Sequence, residues 1–498
     1  MKNKIIIMLV TLLIFGITTV VSFGDTVDGS TEGTDSVTYS DAENSSVKAT
    51  GELGMTIYYK LYEDGTLYIT GSGEMTNFRY DNSPLRYRND ILKVIFQPTH
   101  RINNVGSNLF YYCNNLKSVE MPFLLERIGT QSFYGCKNLT NVYIPNTVKS
   151  IGQEAFAYCS SLKNIRLPSN LVNIEKGVFS GCKNMTNINI PESVTTIGSG
   201  AFGGCENLIR IEIADSLKYI KSYAFSNCSN LIDIDIPNSV ECIEWGAFSN
   251  CNSLKNIKMP ESLVQLGDRV FEGCTSLVDI KINKVSENLF SGCSNLESVE
   301  IQNGVTVLSS GIFYKCSKLK SVTIPDSVTE IKASVFNGCS NLESIEIPDG
   351  VTKIGRAAFY GCNKLINIKI PEGLTEIGKY TFYECSSLES VGILDGVINI
   401  GDYAFYKCNK LANIKIPEGL TEIGENAFYE CSNLNVYVND IEQWLNISFK
   451  NENANPLNNA KGLYINNMYS NVISIPENIA SVYKGIHIKT TKNGLPTY

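Results

Sequence analysis

Residues 339–362 read CSNLESIEIPDGVTKIGRAAFYGC, and most of the chain is built from copies of this stretch. Cysteines fall at 113, 136, 159, 182, 205, 228, 251 and 274, then at 293, 316, 339, 362, 385, 408 and 431. Each step is 23 residues except 274 to 293, which is 19. A phenylalanine stands three residues before each of these cysteines, from Phe110 to Phe428. Self-similarity at a period in the twenties is the mark of a solenoid, in which each repeat is one coil that buries its apolar face only against its neighbours.

Within one coil, Leu342, Ile345 and Ile347 end in the period-two spacing of a strand with one buried face. Pro348 has no backbone donor and stops that strand. Val351 and Ile354 form a second short apolar pair, closed by Gly355, whose type suits a left-handed turn. Ala358, Phe359 and Cys362 have the spacing of one helical turn. The expected fold is an α/β solenoid: a right-handed coil with one main parallel strand per repeat of about 23 residues, a short second extended segment and a helical turn on the other side. Stacked strands about 4.8 Å apart would make the array on the order of 70 Å long.

Composition narrows the function. A net charge of −8 lacks the basic face that nucleic acid demands. The two histidines, His100 and His487, have no partner at ligand spacing, which removes most imidazole-centred metal and acid–base chemistry. No phosphate loop or nucleophile elbow is present. The reading is therefore a non-enzyme with no cofactor, no metal and no catalytic residues.

The expected organisation runs as follows. Residues 1–24, with Lys2 and Lys4 ahead of an apolar run from Ile5, read as a signal peptide; an uncleaved anchor is the rival. Residues 25–50 are acidic, rich in Ser and Thr, and read as a disordered spacer. Residues 51–90 carry two alternating runs around Glu63-Asp64-Gly65 and read as an N-terminal β-hairpin cap. Residues 91–438 hold about 15 repeats, and residues 439–498 a modified repeat or cap with a Trp444-containing helix. The 19-residue coil lacks most of the V-T-x-I-G segment and should mark a kink or change of curvature. The one-phase cysteines read as a column of buried thiols rather than bridges. Cys242, out of phase, reads as the most exposed thiol.

The run I-P-x-x-V-T-x-I-G-x-x-A-F-x-x-C-x-x-L-x-x-I-x-I resembles the BspA-like (Treponema pallidum-type) leucine-rich repeats of surface and secreted proteins. Asp64-Gly65-Thr66-Leu67 with Gly71-Ser72-Gly73-Glu74-Met75 resembles that family's entry segment. The stretch around Trp444 with Asn455-Pro456-Leu457 resembles its recurrent interruption. The resemblance implies a secreted or cell-surface location and adhesion to extracellular proteins or glycans, such as host matrix or neighbouring cells. No residue-level binding motif is shared across the family, so none transfers.

Candidate surfaces come from phase. Ile209 and Ile232 are apolar at outward positions of adjacent coils, with Arg210, Glu212, Asp233, Asp235 and Lys258 around them, an apolar patch with a polar rim. Tyr314, Tyr360, Tyr383, Tyr406 and Tyr429 form an aromatic stripe that reads either as a binding face, including for sugars, or as a shield over the coil edge. The function expected is an adhesin acting through the extended repeat face; the alternative is a structural spacer or envelope scaffold without a high-affinity ligand.

Overall fold

The computed structural model describes residues 45–97, 101–458, 460–465 and 488–490; the expected signal peptide and residues 25–44 of the expected spacer lie outside them. An antiparallel meander opens the fold, with β1 (Val47–Gly54), β2 (Ile57–Tyr62) and β3 (Thr66–Gly71). The β2–β3 turn is held by Asp64, whose carboxylate accepts the Thr66 N–H at 2.8 Å, and by Gly65 at φ 85°. β1 begins at Val47, inside the stretch expected to be spacer. Its sequence is polar because it is an edge strand whose pairing comes from β2. β3 then pairs in parallel with β4 (Lys93–Phe96), and from there the chain is a parallel β-solenoid.

Most repeats add a rung to three ladders. The first is the main strand, as in Asn164–Arg166 upon Asn141–Tyr143, with the middle residue buried and its neighbours exposed. The second is a two-residue strand, as in Asn173–Ile174 upon Thr196–Ile197. The prolines end the main strands as expected: the Pro145 carbonyl accepts the N–H of Val148, turning the chain toward the second ladder.

The third side corrects the expected helical turn. Around each phenylalanine the chain makes successive turns, and the described residues hold one short α-helix, Ile441–Leu445. Residues two before and two after the phenylalanine take left-handed backbone: Glu154 (φ 55°) and Tyr158 (φ 60°) around Phe156, Tyr380 (φ 61°) and Glu384 (φ 58°) around Phe382. A helix cannot pass through such residues. Their N–H groups bond instead to the next coil, as Asn108 to Thr130 O (2.9 Å), Phe110 to Ser132 O (2.8 Å) and Tyr112 to Tyr134 O (2.7 Å).

Gly355 needs a correction too. Its backbone is not left-handed; a Cβ there would lie 2.6 Å from the backbone nitrogen of Ala333 in the preceding coil, and Gly152 meets Thr130 in the same way at 2.5 Å. These glycines permit close approach between coils.

The core is a set of columns. Fourteen stacked phenylalanine pairs run unbroken from Phe110 to Phe428, with ring centroids 5.1–6.0 Å apart. All sixteen cysteines are free. Their phase has a chemical reason: from Cys136 onward each repeat thiol donates to a phenylalanine carbonyl of the preceding coil, as Cys136 Sγ to Phe110 O and Cys205 Sγ to Phe179 O, both at 3.2 Å, while Cys113 at the start of the array donates to Leu85 O. The Phe110 carbonyl also accepts the Cys113 N–H at 3.1 Å, so both of its lone pairs are used in a dry interior. Burial pushes the Cys205 and Cys274 thiols up to about 12. Cys242 is buried as well, though at 8 % exposure it is the most accessible of the sixteen.

The 19-residue coil keeps its main strand, Asp279–Ile282, and its place in the phenylalanine and thiol columns. It has no second strand, so the second ladder stops at Gln265–Leu266 and resumes at Val307–Leu308. Beyond Cys431 the main ladder continues through Asn435–Val438 and Gly462–Ile465 to Ile488–Thr490. Between the first two lies the helix, capped by Asp440, whose carboxylate accepts the Glu442 N–H at 3.1 Å; Trp444 is buried against Phe449. Among the described residues no helix is long and apolar enough to cross a membrane.

Candidate functional site

The outward positions of the main strands form an in-register surface, because alternation buries one residue in each strand and presents its neighbours. Ile209 (44 % exposed) and Ile232 (43 %) sit on this side in consecutive coils, linked by the Ile232 N–H to Ile209 O bond of 3.3 Å. Val278 (37 %) lies two coils further, beyond Lys255. Arg210 and Glu212 flank the buried Ile211; Asp233 and Asp235 flank the buried Ile234. Lys258 pairs in register with Asp235. The seven residues therefore share a surface, but across a joint: Arg210–Glu212 pairs with Asn187–Asn189, and Asp233–Asp235 with Asn256–Lys258, in separate short sheets.

Among the shallow grooves along this face, two take four of the five candidate charged residues between them. One, of about 620 Å³, takes Arg166, Asn189 and Glu212. The other, of about 660 Å³, takes Asp233, Asp235 and Lys258 together with Asp279, Lys281 and Glu300. Ile209 and Ile232 line neither. The larger groove sits on the 19-residue coil, where Asn283 occupies its wall between Glu261 and Gln302 of the flanking coils. The signal for it in the sequence is the short step itself, which removes one member from the row of loops that follow the strands. Lys281 is paired with Glu300 at 2.5 Å, whereas Asp233, Asp235 and Lys258 make no ion pair within 4 Å among the described residues.

The tyrosine stripe lies on the turn side. Tyr360, Tyr383, Tyr406 and Tyr429 stack in sequence with centroids 4.5, 4.7 and 5.4 Å apart. Tyr314 stands apart, since the intervening coil has Asn337 at this position. A second column, Tyr380 on Tyr403 at 5.1 Å, leans against the first, and the Arg356 guanidinium lies 4.9 Å from the Tyr380 ring centre. Burial, with Tyr360 next, pushes the Tyr383 hydroxyl up to about 12. Stacking turns ring faces toward one another, so the inner members offer edges and hydroxyls to a ligand rather than the open faces on which a sugar would stack. A second tyrosine cluster, Tyr87, Tyr111, Tyr112 and Tyr134, occupies the same side at the other end of the array. Among the described residues no three of His, Cys, Asp and Glu are grouped to hold a metal ion.

Comparison with known proteins follows the fold. The family model of the BspA type leucine rich repeat region matches six copies over residues 103–232, 218–343 and 329–455. A leucine-rich repeat protein from Bacteroides ovatus aligns at 29% identity over 79% of this chain and 98% of its own, with a TM-score of 0.58. A leucine-rich repeat protein from Eubacterium ventriosum aligns at 26% identity over 63% of this chain and 94% of its own, TM-score 0.45. A leucine rich cell surface protein from Faecalibacterium prausnitzii aligns at 26% identity over 81% of this chain and 98% of its own, TM-score 0.41. No curated protein matches this chain.

Proposed function

The chain belongs to the BspA-type leucine-rich repeat family, and from that premise we propose that it is a secreted or cell-surface adhesin. It binds extracellular macromolecules, proteins or glycans, through the main-strand face. The observation that carries this reading is the pair Ile209 and Ile232, two large apolar side chains more than two-fifths exposed in consecutive rungs and rimmed by Arg210, Glu212, Asp233 and Asp235. Most exposed positions on these strands are Asn, Ser, Asp, Glu, Lys or Arg. A contiguous apolar step inside such a rim has the layout of a contact surface.

The test is saturable binding of the purified chain to an immobilised panel of fibronectin, fibrinogen and mucin. The double variant Ile209→Lys, Ile232→Lys should bind about tenfold more weakly. Its melting temperature should stay put, since neither side chain is buried. Absence of saturable binding to the whole panel would favour a structural spacer, and unchanged binding by the variant would remove this patch as the site.

A further inference from the structure

The groove over the 19-residue coil carries an inference that rests on the strand-face reading above and gives its partner a chemistry. The groove is lined by five carboxylates, of Asp233, Asp235, Glu261, Asp279 and Glu300, and by two amines, of Lys258 and Lys281, so five minus two leaves three negative charges unbalanced. Glu300 is already matched by Lys281. Asp279 is engaged only by the hydroxyl of Ser298. Asp233, Asp235 and Glu261 have no cation within ion-pairing distance among the described residues. Elsewhere the ladders alternate sign more closely, as in Lys218 with Glu241, Lys320 with Glu297 and Lys353 with Glu330.

Two further observations separate this place from an ordinary acidic surface. The shortened coil lacks the loop that its neighbours carry, so the groove opens sideways into a notch between Glu261 and Gln302. In the wall of that notch the Oδ1 of Asn283 is sealed from solvent with no hydrogen-bond donor, while its amide group reaches the Pro260 carbonyl at 3.4 Å. That unpaired oxygen adds its negative partial charge to the field at the groove wall without itself being open to contact. A groove in which negative charge outweighs positive also favours a cation.

We propose that this groove binds an extended basic segment of a partner protein. Arginine or lysine side chains would meet Asp233, Asp235 and Asp279. Alternate residues of an extended peptide project to one side, which matches carboxylates repeating from rung to rung.

The probe is a fluorescein-labelled alternating Arg-Gly peptide, with alternating Ser-Gly as reference, followed by anisotropy on the full chain at physiological ionic strength. The Arg-Gly peptide should bind about tenfold more tightly than the reference, and Asp233→Asn with Asp279→Asn should remove that preference. The same charge change elsewhere on the strand face, Glu120→Gln with Glu346→Gln, should alter affinity by less than about twofold. Equal binding of the two peptides, or equal loss from both double variants, overturns the proposal; the second result would mean net charge alone is at work. Copying Glu261-Ser262-Leu263-Val264 into the short coil after Asn283 fills the notch without removing an acid and should also weaken binding, with circular dichroism confirming the fold. Unaltered affinity in that folded variant also overturns it. Matrix binding that persists while the peptide arms fail leaves the strand-face reading intact and removes only this partner.

Discussion

The coil from Cys274 to Cys293 and its 23-residue neighbours do the same structural work with different parts. A full coil such as Cys362–Cys385 has a loop after its main strand, Asn367–Lys369, and a two-residue second strand, Glu376–Ile377. The short coil has neither, yet Phe290 stays stacked between Phe271 and Phe313 at 5.7 and 6.0 Å, and Cys293 still donates to Phe271 O at 3.0 Å. The difference teaches that the inner phenylalanine and thiol columns, with the main strands, carry the stack. The second ladder is dispensable locally, and its loss is what opens a groove. This division between an invariant inside and an editable outside can be broken at several levels.

The largest effect should come from the thiol column. The buried thiols are held well above the ordinary cysteine range by desolvation, to about 12 for Cys205, Cys274 and Cys431. The folded chain therefore keeps protons that the unfolded chain gives up. Stability is complete below about pH 9 and falls as pH rises toward 12. Each thiol contributes about 1.4 kcal/mol per pH unit in that window, so even a few coils unfolding together lose several kcal/mol. Urea unfolding under reducing conditions should show a flat midpoint up to pH 8.5 and a steep fall above it. A midpoint independent of pH up to 11 would mean that the thiols do not form a dry column. In denaturant without reductant, sixteen thiols should titrate; in the native state Cys242 should react first.

Next comes Phe290→Ala set against Phe156→Ala. Each should cost about 3–5 kcal/mol, as for a fully buried phenylalanine. The comparison sharpens in the shape of the transition. Between main strand and phenylalanine the coil of Phe156 buries Val148, Ile151 and Ala155, whereas that of Phe290 buries Leu289 and only partly buries Val285. In a stack of nearest-neighbour contacts, weakening the thinnest junction separates the two sides. Phe290→Ala should split urea unfolding into two steps, and Phe156→Ala should shift one step. Identical single transitions would show that the short coil is no weaker a junction than the rest.

The columns were largely legible in the sequence and the outward chemistry was not, for physical reasons. Leu342, Ile345 and Ile347 announce an extended segment because a buried face imposes period two locally, though in that coil the pairing is a single bridge, Ser344 to Asn367, rather than a full strand. Phe359 and Cys362 mislead because a spacing of three fits one helical turn and also a chain of turns with left-handed residues between. The corrective signal was present: glycine stands two residues after the phenylalanine at 135, 181, 204, 273, 292, 338 and 361, where φ is positive. A recurrent glycine there argues against a helix. The thiol-to-carbonyl bonds were hidden because donor and acceptor lie a coil apart, 26 residues away for Cys136 and Phe110. The outward phase of Ile209 and Ile232 could be read from the repeat alone. The short step marks where the groove lies, but its lining could not be read, because it is gathered from several coils and exists only once they stack.

A smaller contrast separates the two kinds of glycine. Gly152→Ala puts a Cβ 2.5 Å from the Thr130 backbone nitrogen, which forces coils apart and should cost about 1–3 kcal/mol. Gly200→Ala meets nothing within 4 Å and suffers only from its φ of 61°, roughly 1 kcal/mol. Thermal melts of the two variants rank them, and the reverse order would mean that backbone conformation, rather than contact between coils, sets the spacing.

The smallest effect on stability belongs to the outer surface, and that is its value. Lys281 and Glu300 pair across the short coil at 2.5 Å, yet both side chains are more than half exposed, so water screens the attraction. Lys281→Ala should change the urea midpoint by an amount equivalent to less than about 1 kcal/mol. The same substitution leaves the groove with one amine, Lys258, against its five carboxylates. Affinity for a basic peptide should then rise while the melting curve barely moves. A stability loss as large as that of Phe156→Ala would place Lys281 among the columns that hold the coils together, and the separation between inside and outside would fail at the one coil where it is most exposed to test.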